Sequence, residues 1–440
     1  MNNEMAPDLS GLSLRYKEAK VLYEEAVARA LNTFAYQEAD VAWLRLDQGG
    51  QRYSDKALND SEIGRAVSEA WAIRAAAKAG LDAAAAGSDV KPKAPKVLPA
   101  HNILIHADGL KTVAGLTYAV GEDRLVHVEE GGIEALRVNT YNPSMLMPAE
   151  AATEEDVRPL LNHLTLLCAN EPSAAGHLLN WMAWVAQNPK GKVRWAPLLV
   201  SGQGTGKDTL FKPLVSIVGR HNYVEIGPND LESTYNPYCR QRFVVLNEMQ
   251  RKERFSAYDF IKPFISGTTG DTVTINEKYK GHYPAANRMA WVVFSNHADA
   301  MPMEGDDRRF YVVEVRHPLW PNVKPNDTEK RAYFAPLHDW IENGGAALVY
   351  RYLLDRDLSE FDHANPPADT QAKHDMRRAA MSVFSQWLAD ECQRGLYAKR
   401  SVVCAKEVQE YAADCQQDRA NGRGIKGGLE AGGFHYYGMM

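Results

Sequence analysis

Val200–Phe211, VSGQGTGKDTLF, constrains this chain more than any other stretch. An apolar run, Trp195–Val200 (WAPLLV), leads into it and predicts a buried strand. Gly202, Gly204 and Gly206 then bracket Gln203 and Thr205, and Lys207 follows, ahead of Asp208, Thr209 and a helix-forming run. Strand, glycine turn and helix in that order predict a phosphate-binding loop. A polyphosphate is held by several backbone N–H groups pointing inward, and glycine lets the chain curl that tightly because it has no Cβ to clash. The helix opening near Lys207 aims the positive end of its dipole at the phosphates. The Lys207 ammonium supplies a point charge for the β- and γ-phosphates. Two positions depart from the usual pattern: Ser201 stands where glycine is usual, and Asp208 stands where a Mg²⁺-binding Ser or Thr is usual. A carboxylate also ligates Mg²⁺, and Thr209 is one position further on. The alternative is a glycine-rich turn with no nucleotide, against which the order of strand, GTGK and helix argues.

Bulk properties narrow the setting. At 440 residues the chain has room for about three domains. A net charge of −6 means that any nucleic-acid contact comes from local patches and not from a global basic field. Cys168, Cys239, Cys392, Cys404 and Cys415 are scattered, with no CxxC or Cys/His cluster, so neither a zinc site nor a disulfide framework is indicated. A reducing, cytosolic setting fits. The N-terminus MNNEMAPDLSG lacks a basic-then-apolar signal pattern. No apolar run approaches the ~18 residues that a membrane span needs.

Along the chain, residues 1–87 predict a helical packing or assembly module. Leu22, Ala26, Ala30 and Phe34 recur at helical spacing within Leu14–Leu44, and Asp60-Ser61 caps a second helix over Glu62–Ala86. Residues 88–102, rich in Pro, Lys and Ser, read as a linker. In 103–188, the apolar runs Ile103–Ile105, Val113–Tyr118, Leu125–Val128 and Leu136–Val138 predict hairpins. Helices follow: one opened by Thr153–Asp156 and running through Leu167, kinked or delayed by Pro159, and another over Ala174–Gln187. Residues 189–356 carry the phosphate loop, 357–375 read as a linker, and 376–440 form a C-terminal module. That module has helices over Met376–Cys392 and Glu407–Cys415, then the glycine-rich Arg419–Phe434, read either as part of a small winged helix or as a plain tail.

Further candidates lie downstream of the loop. Phe243–Leu246 (FVVL) suits a strand of a parallel sheet and ends in Asn247-Glu248. There Glu248 is placed to polarise a water and Asn247 to complete a Mg²⁺ shell. Met289–Phe294 is the next strand and ends in Ser295-Asn296; Asn296 either contacts the γ-phosphate or forms a turn. Arg308 and Arg309 precede another strand and suit the oxygens of a transferring phosphate, or pair with Asp306 and Asp307. Thr272–Asn287 predicts a hairpin with Lys278 and Lys280 at its tip, fit for phosphate contact or for plain solvation.

In order, these pieces resemble the superfamily 3 helicases, and most of all the ATPase domain of phage and plasmid primase–helicase replication proteins. The segments that carry the resemblance are GQGTGKDT (Gly202–Thr209), VVLNE (Val244–Glu248), INEKYKG (Ile275–Gly281), VVFSN (Val292–Asn296) and GDDRRF (Gly305–Phe310), flanked by NTYNP (Asn139–Pro143), DLSEF (Asp357–Phe361) and PPADTQAK (Pro366–Lys373). It covers roughly Leu110–His374. It implies an α/β fold: an AAA+-like P-loop ATPase core with a parallel central sheet over 189–356. It implies ATP and Mg²⁺ as cofactors. Gly202, Gln203, Gly204, Thr205, Gly206, Lys207, Asp208 and Thr209 would hold ATP, with Asp208, Thr209 and Asn247 at the Mg²⁺. Glu248 would activate water, Asn296 would sense the γ-phosphate, and Arg308 or Arg309 would act across a subunit interface. Lys278 and Lys280 would grip single-stranded DNA in a central pore. The implied function is an ATP-dependent DNA helicase, a homo-oligomeric ring, usually a hexamer, that replicates a phage, plasmid or other mobile element in the cytoplasm of a bacterial host. The first ~100 residues are short and helical for a primase–polymerase domain, and no paired-carboxylate polymerase signature is seen. A separate primase or polymerase is therefore the expected partner. The alternatives are a ring-forming DNA-binding ATPase without unwinding, such as an initiator or defence component, and a small-molecule kinase.

Overall fold

The structure is a computed structural model that describes residues 9–88, 90, 92–130, 132–169, 171–247, 254–267, 271–278, 282–297, 301, 303, 307–315, 327–400, 402–415 and 422–434. The chain divides into two units, Met1–Tyr141 and Asn142–Met440.

The first unit runs α1 (Leu9–Thr33), β1 (Phe34–Gln37), β2 (Ala42–Arg45), β3 (Gln51–Tyr53), α2 (Asp55–Asp60), α3 (Glu62–Ala85), α4 (Ala100–Leu104), β4 (Thr112–Val113), β5 (Gly115–Thr117), β6 (Leu125–Glu130) and β7 (Ile133–Asn139). Helices α1 and α3 pack together, with the Arg74 guanidinium 4.0 Å from the Tyr23 ring centre. Ser61 caps α3 by accepting from the Gly64 N–H at 3.0 Å. The all-helical expectation for 1–87 fails between them. Strands β1 to β3 form an antiparallel meander, and β4 adds beside β1. Phe34, Tyr36 and Trp43 favour a half-buried pleated surface, and Phe34 and Trp43 are almost fully buried there. Ile103-Leu104, expected in a hairpin strand, instead closes α4. The β6–β7 hairpin forms as expected, with β5 parallel to β7.

The second unit opens with α5 (Arg158–Leu167) and α6 (Pro172–Gln187). Pro159 delays α5: Thr153 and Asp156 close a turn of their own, Thr153 Oγ1 donating to Asp156 Oδ2 at 2.6 Å, and the helix begins only at Arg158. There follow β8 (Ala196–Val200), α7 (Lys207–Val218), β9 (Tyr223–Ile226), α8 (Pro228–Leu231), β10 (Phe243–Leu246), α9 (Arg254–Ser266), β11 (Thr272–Ile275), β12 (Tyr283–Ala286), β13 (Ala290–Ser295) and β14 (Phe310–Glu314). Then come α10 (Asp327–Trp340), α11 (Ala346–Leu354), α12 (Gln371–Ala380), α13 (Val383–Gln393), α14 (Ala405–Asp414) and α15 (Gly422–Ala431).

Five strands form one parallel sheet in the order β14-β8-β13-β10-β9. The fold is therefore α/β around a parallel sheet. Strands β8, β10 and β13 are buried along their whole length, as a sheet covered on both faces requires. The register pairs Leu246 with Val293, Ser295 with Val200 and Ala196 with Phe310. All five strands thus begin at one edge and end at the other. Ser201, Asn247 and Asn296 all follow strand ends, the edge where parallel sheets of this kind bind ligands.

The stretch read as a linker over 357–375 lies against this core. Trp195 Nε1 donates to the Asp362 carbonyl at 2.9 Å, and His363 stacks on Trp184 with ring centres 5.4 Å apart. In the C-terminal module Gly422–Ala431, most of the glycine-rich segment, forms helix α15 and not a tail or a wing. Glycine permits the contact: a Cβ at Gly428 or Gly432 would stand 2.8 Å from Leu388 or 2.5 Å from Cys392 of α13. Among the described residues of 376–440 there is no strand.

Candidate functional site

Past the ends of β8, β10 and β13 lies a cleft of about 600 Å³. Gln203, Gly204, Lys207 and Asp208 line one side; Glu225, Ile226 and Gly227 line another; Asn247, Phe294 and Asn296 complete it. Gly204 and Gly206 have φ of 76° and 90°, the left-handed region that favours glycine. Gly206 also has no room for a side chain, since a Cβ there would lie 2.5 Å from the Phe334 ring and 2.7 Å from the His163 ring.

The loop is braced by residues distant in sequence. His163 Nε2 lies 2.9 Å from the Gly206 carbonyl, and its Nδ1 lies 2.9 Å from the Tyr333 hydroxyl. A carbonyl only accepts, so Nε2 carries the proton and Nδ1 accepts from Tyr333. Burial pushes the His163 pKa down, which favours this neutral form. Ser201, the first departure from the usual pattern, has a role of its own. Its hydroxyl accepts from Thr205 Oγ1 at 3.0 Å and from Lys207 Nζ at 3.4 Å.

Lys207 is buried, with Nζ 3.1 Å from Asn296 Oδ1 and 5.7 Å from the centre of the Phe294 ring. The loop lysine and the strand-end asparagine, 89 residues apart, therefore meet. Asp208 is solvent-accessible at the cleft, yet its carboxyl is pushed above the usual range. The surrounding protein mass is the main cause, Lys207 acts in the opposite sense, and Glu225 reinforces the rise. Asn247 Nδ2 donates to Glu225 Oε2 at 3.0 Å, and the Tyr223 hydroxyl bonds the other carboxylate oxygen. Glu225 was not anticipated. Its signal was the short run YVEI, between polar His221-Asn222 and Gly227-Pro228.

Other expected residues lie elsewhere. The Thr209 hydroxyl sits 3.0 Å from His338 Nε2 on α10. Two residues on a helix turn about 200°, so Thr209 leaves the face that carries Lys207. Arg308 is exposed and Arg309 half-buried just before β14, at the opposite edge of the sheet from the loop. Asp307 accepts from the Arg309 backbone N–H at 3.0 Å and lies 3.5 Å from Arg309 Nη1. Lys278 is exposed between β11 and β12, which pair as the expected antiparallel hairpin. Glu248 and Lys280 lie outside the described residues.

The oxygen donors at the cleft suit a hard cation. Asp208, Glu225 and Asn247 supply carboxylate and amide oxygens. Among the described residues no group of three or more His, Cys, Asp or Glu side chains is arranged to hold a metal. The two carboxylates, Asp208 and Glu225, would suit Mg²⁺, which takes one or two protein carboxylates and completes its shell with phosphates and water.

Residues 199–309 match the model of a family of unknown function (DUF5906), a span that holds every cleft residue named above. Over 198 residues the chain is 31% identical to a DNA primase-polymerase of Nitratiruptor phage NrS-1, the match taking in 43% of this chain and 26% of that protein. The chain thus spans about a quarter of the length of the curated relative it matches. Two apo structures of the NrS-1 C-terminal region share its fold. One has a TM-score of 0.56 at 21% identity and the other 0.55 at 20%, each match covering 90% of this chain and 83% of the solved chain.

These similarities correct the functional expectation. The relative is a DNA primase-polymerase, so the ATP-driven helicase is withdrawn, along with the non-unwinding ring ATPase and the metabolite kinase. The error has a physical origin. A glycine loop, a strand-end asparagine and a basic hairpin are parts that many chemistries share, and their order speaks to scaffold more than to reaction. Among the described residues no helix is long and apolar enough to cross a membrane.

Proposed function

We propose that this chain is the nucleoside-triphosphate-binding part of a phage replication protein that works in DNA priming and synthesis. One observation carries the reading. A buried lysine and an asparagine converge at 3.1 Å beside a glycine loop, and two carboxylates face the same cleft. A triphosphate with Mg²⁺ satisfies both sides at once. The N–H groups of Gly202–Asp208 and the dipole of α7 take the phosphate oxygens. Lys207 moves from Asn296 onto the β- and γ-phosphates, and Asn296 is left to hydrogen-bond the terminal phosphate. Asp208, with Asn247 and Glu225 behind it, attends to Mg²⁺, which screens the phosphate charge when bound. ATP is one such triphosphate. The similarity to a DNA primase-polymerase supports a role beside a template strand, and the exposed Lys278 hairpin offers a cation for its phosphates.

Titration with a fluorescent ATP analogue and Mg²⁺ tests the binding part. Lys207→Ala should weaken it by at least about a hundredfold, the loss of a charge-assisted contact in a desolvated site. Affinity equal to the parent's would remove the site. Primer formation on a single-stranded template with all triphosphates tests the rest. Products that require Lys207 support it, whereas intact nucleotide binding without products removes the priming role.

A further inference from the structure

Helix α10 lies against the glycine loop along one of its faces. Phe334 abuts Gly206, and His338 meets Thr209 at 3.0 Å. Lys330, Phe334 and His338 are spaced i, i+4, i+8, so they share that face. Lys330 is the flexible cation of the three. Its Nζ stands 3.3 Å, and its Cε 3.4 Å, from the place a Cβ on Gly204 would occupy. The side chain is half-buried, and among the described residues it forms no ion pair. Lys330 also lies beyond residue 309, where the family match ends, and in none of the segments singled out in the sequence.

An ammonium held over loop backbone, with no ion-pair carboxylate among the described residues, is poised for an anion that arrives on that loop. The glycine at 204 has φ of 76° and leaves no side chain between the two. We propose that Lys330 is a second phosphate-binding cation, closing on the polyphosphate from α10 while Lys207 holds it from α7. The proposal rests on the glycine loop being a triphosphate site. It makes α10 a wall of that site, and it makes selectivity for nucleotides with longer phosphate chains a property of two helices instead of one.

The test is equilibrium binding of ATP, ADP and AMP, each with Mg²⁺, to the full chain and to Lys330→Ala, Lys330→Arg and Lys207→Ala. Thermal midpoints are measured alongside; a half-exposed lysine that pairs with no described carboxylate should leave them unmoved. Lys330→Ala should lose about tenfold to a hundredfold in ATP affinity, the span of one hydrogen bond to a charged group. Its loss for AMP should be much smaller, and Lys330→Arg should keep most of the ATP affinity. If Lys330→Ala binds ATP within twofold of the parent while Lys207→Ala does not bind, Lys330 is a bystander and the loop reading survives. If Lys330→Ala weakens ATP, ADP and AMP equally, the contact is to the nucleoside or its α-phosphate, and the assignment to the outer phosphates is overturned. If Lys207→Ala keeps the parent's affinity, the loop reading fails and the Lys330 proposal with it.

Discussion

The two edges of the parallel sheet treat charge in opposite ways. At the edge where strands begin, Lys192, Arg194 and Lys373 are held by protein acceptors. Lys192 Nζ donates to the Phe264 carbonyl at 2.6 Å, the Met289 carbonyl at 2.8 Å and Asn287 Oδ1 at 3.1 Å. Arg194 reaches the carbonyls of Ser266 and Gly267 and the Asp271 carboxylate, and Lys373 binds the Asp307 carbonyl and Asp369. Several of these acceptors are the last carbonyls of α9, which cations stabilise. At the edge where strands end, Lys207 Nζ reaches the Ser201 hydroxyl at 3.4 Å and the Asn296 amide oxygen at 3.1 Å, and both Lys207 and Asp208 line a cleft. A cation held by protein carbonyls and carboxylates keeps the scaffold together; one that lines a cleft beside a glycine loop is, on the proposed reading, the one that serves a ligand.

That contrast separates binding from stability. Its largest consequence is at Lys207, where alanine should cost about a hundredfold or more in triphosphate affinity and leave the denaturation midpoint nearly unchanged. Equal losses in binding and stability would erase the difference between the edges. Lys192→Met should do the reverse. It strands three buried acceptors and should lower unfolding free energy by about 2–4 kcal/mol in urea titrations, with nucleotide affinity retained. Its pH dependence has a sign. Burial, aided by nearby Arg242, holds the Lys192 pKa well below the lysine range. Between the folded and the unfolded value the unfolded chain binds more protons than the folded one, so this group adds stability as pH rises toward the unfolded lysine value of about 10.4. The gap between parent and Lys192→Met should widen in that direction; a gap independent of pH would mean the amine stays charged.

Gly206→Ala sharpens the comparison from within the cleft. A left-handed conformation and a clash with Phe334 and His163 coincide there, so alanine should cost about 1–3 kcal/mol of stability and most nucleotide binding, read by thermal melts and titration together. The smallest effect lies at Asp208. Its raised pKa means the carboxylate is lost at milder acidity than an ordinary aspartate, so Mg²⁺-dependent affinity should begin to fall there as pH drops. A raised carboxyl pKa also favours the protonated folded form, an advantage lost as pH rises through that pKa. Asp208→Asn should therefore be slightly more stable than the parent at neutral pH, while losing the acid sensitivity of Mg²⁺ binding. An unchanged pH profile in that variant would shift the metal to Glu225.

Much of the sheet was legible because buried parallel strands are unbroken apolar runs: WAPLLV, FVVL and MAWVVF each became a strand within a residue or so. Strand β9 was not, since it lies at the sheet edge and keeps Tyr223 and Glu225 partly in solvent; the Glu225 carboxylate was missed with it. The meeting of Lys207 with Asn296 could be anticipated from two strand ends in one parallel sheet. The turning of Thr209 toward His338 needed the position of α10, 129 residues away, and the bracing of Gly206 needed both α10, for Phe334, and α5, for His163. Helical spacing misled at Phe34, where aromatic β-preference prevailed, and glycine content misled over Gly422–Ala431, where close helix packing uses the missing Cβ. Function was the least legible layer, because the loop chemistry alone does not tell one phosphate-handling reaction from another.

The most direct measurement is an experimental structure of the chain with Mg²⁺ and a non-hydrolysable ATP analogue. The phosphates should lie on the N–H groups of Gly204–Asp208, with Lys207 Nζ drawn off Asn296 onto them and the metal beside Asp208. A saturated complex with the nucleotide elsewhere, the glycine loop empty and Lys207 still on Asn296, would contradict the account.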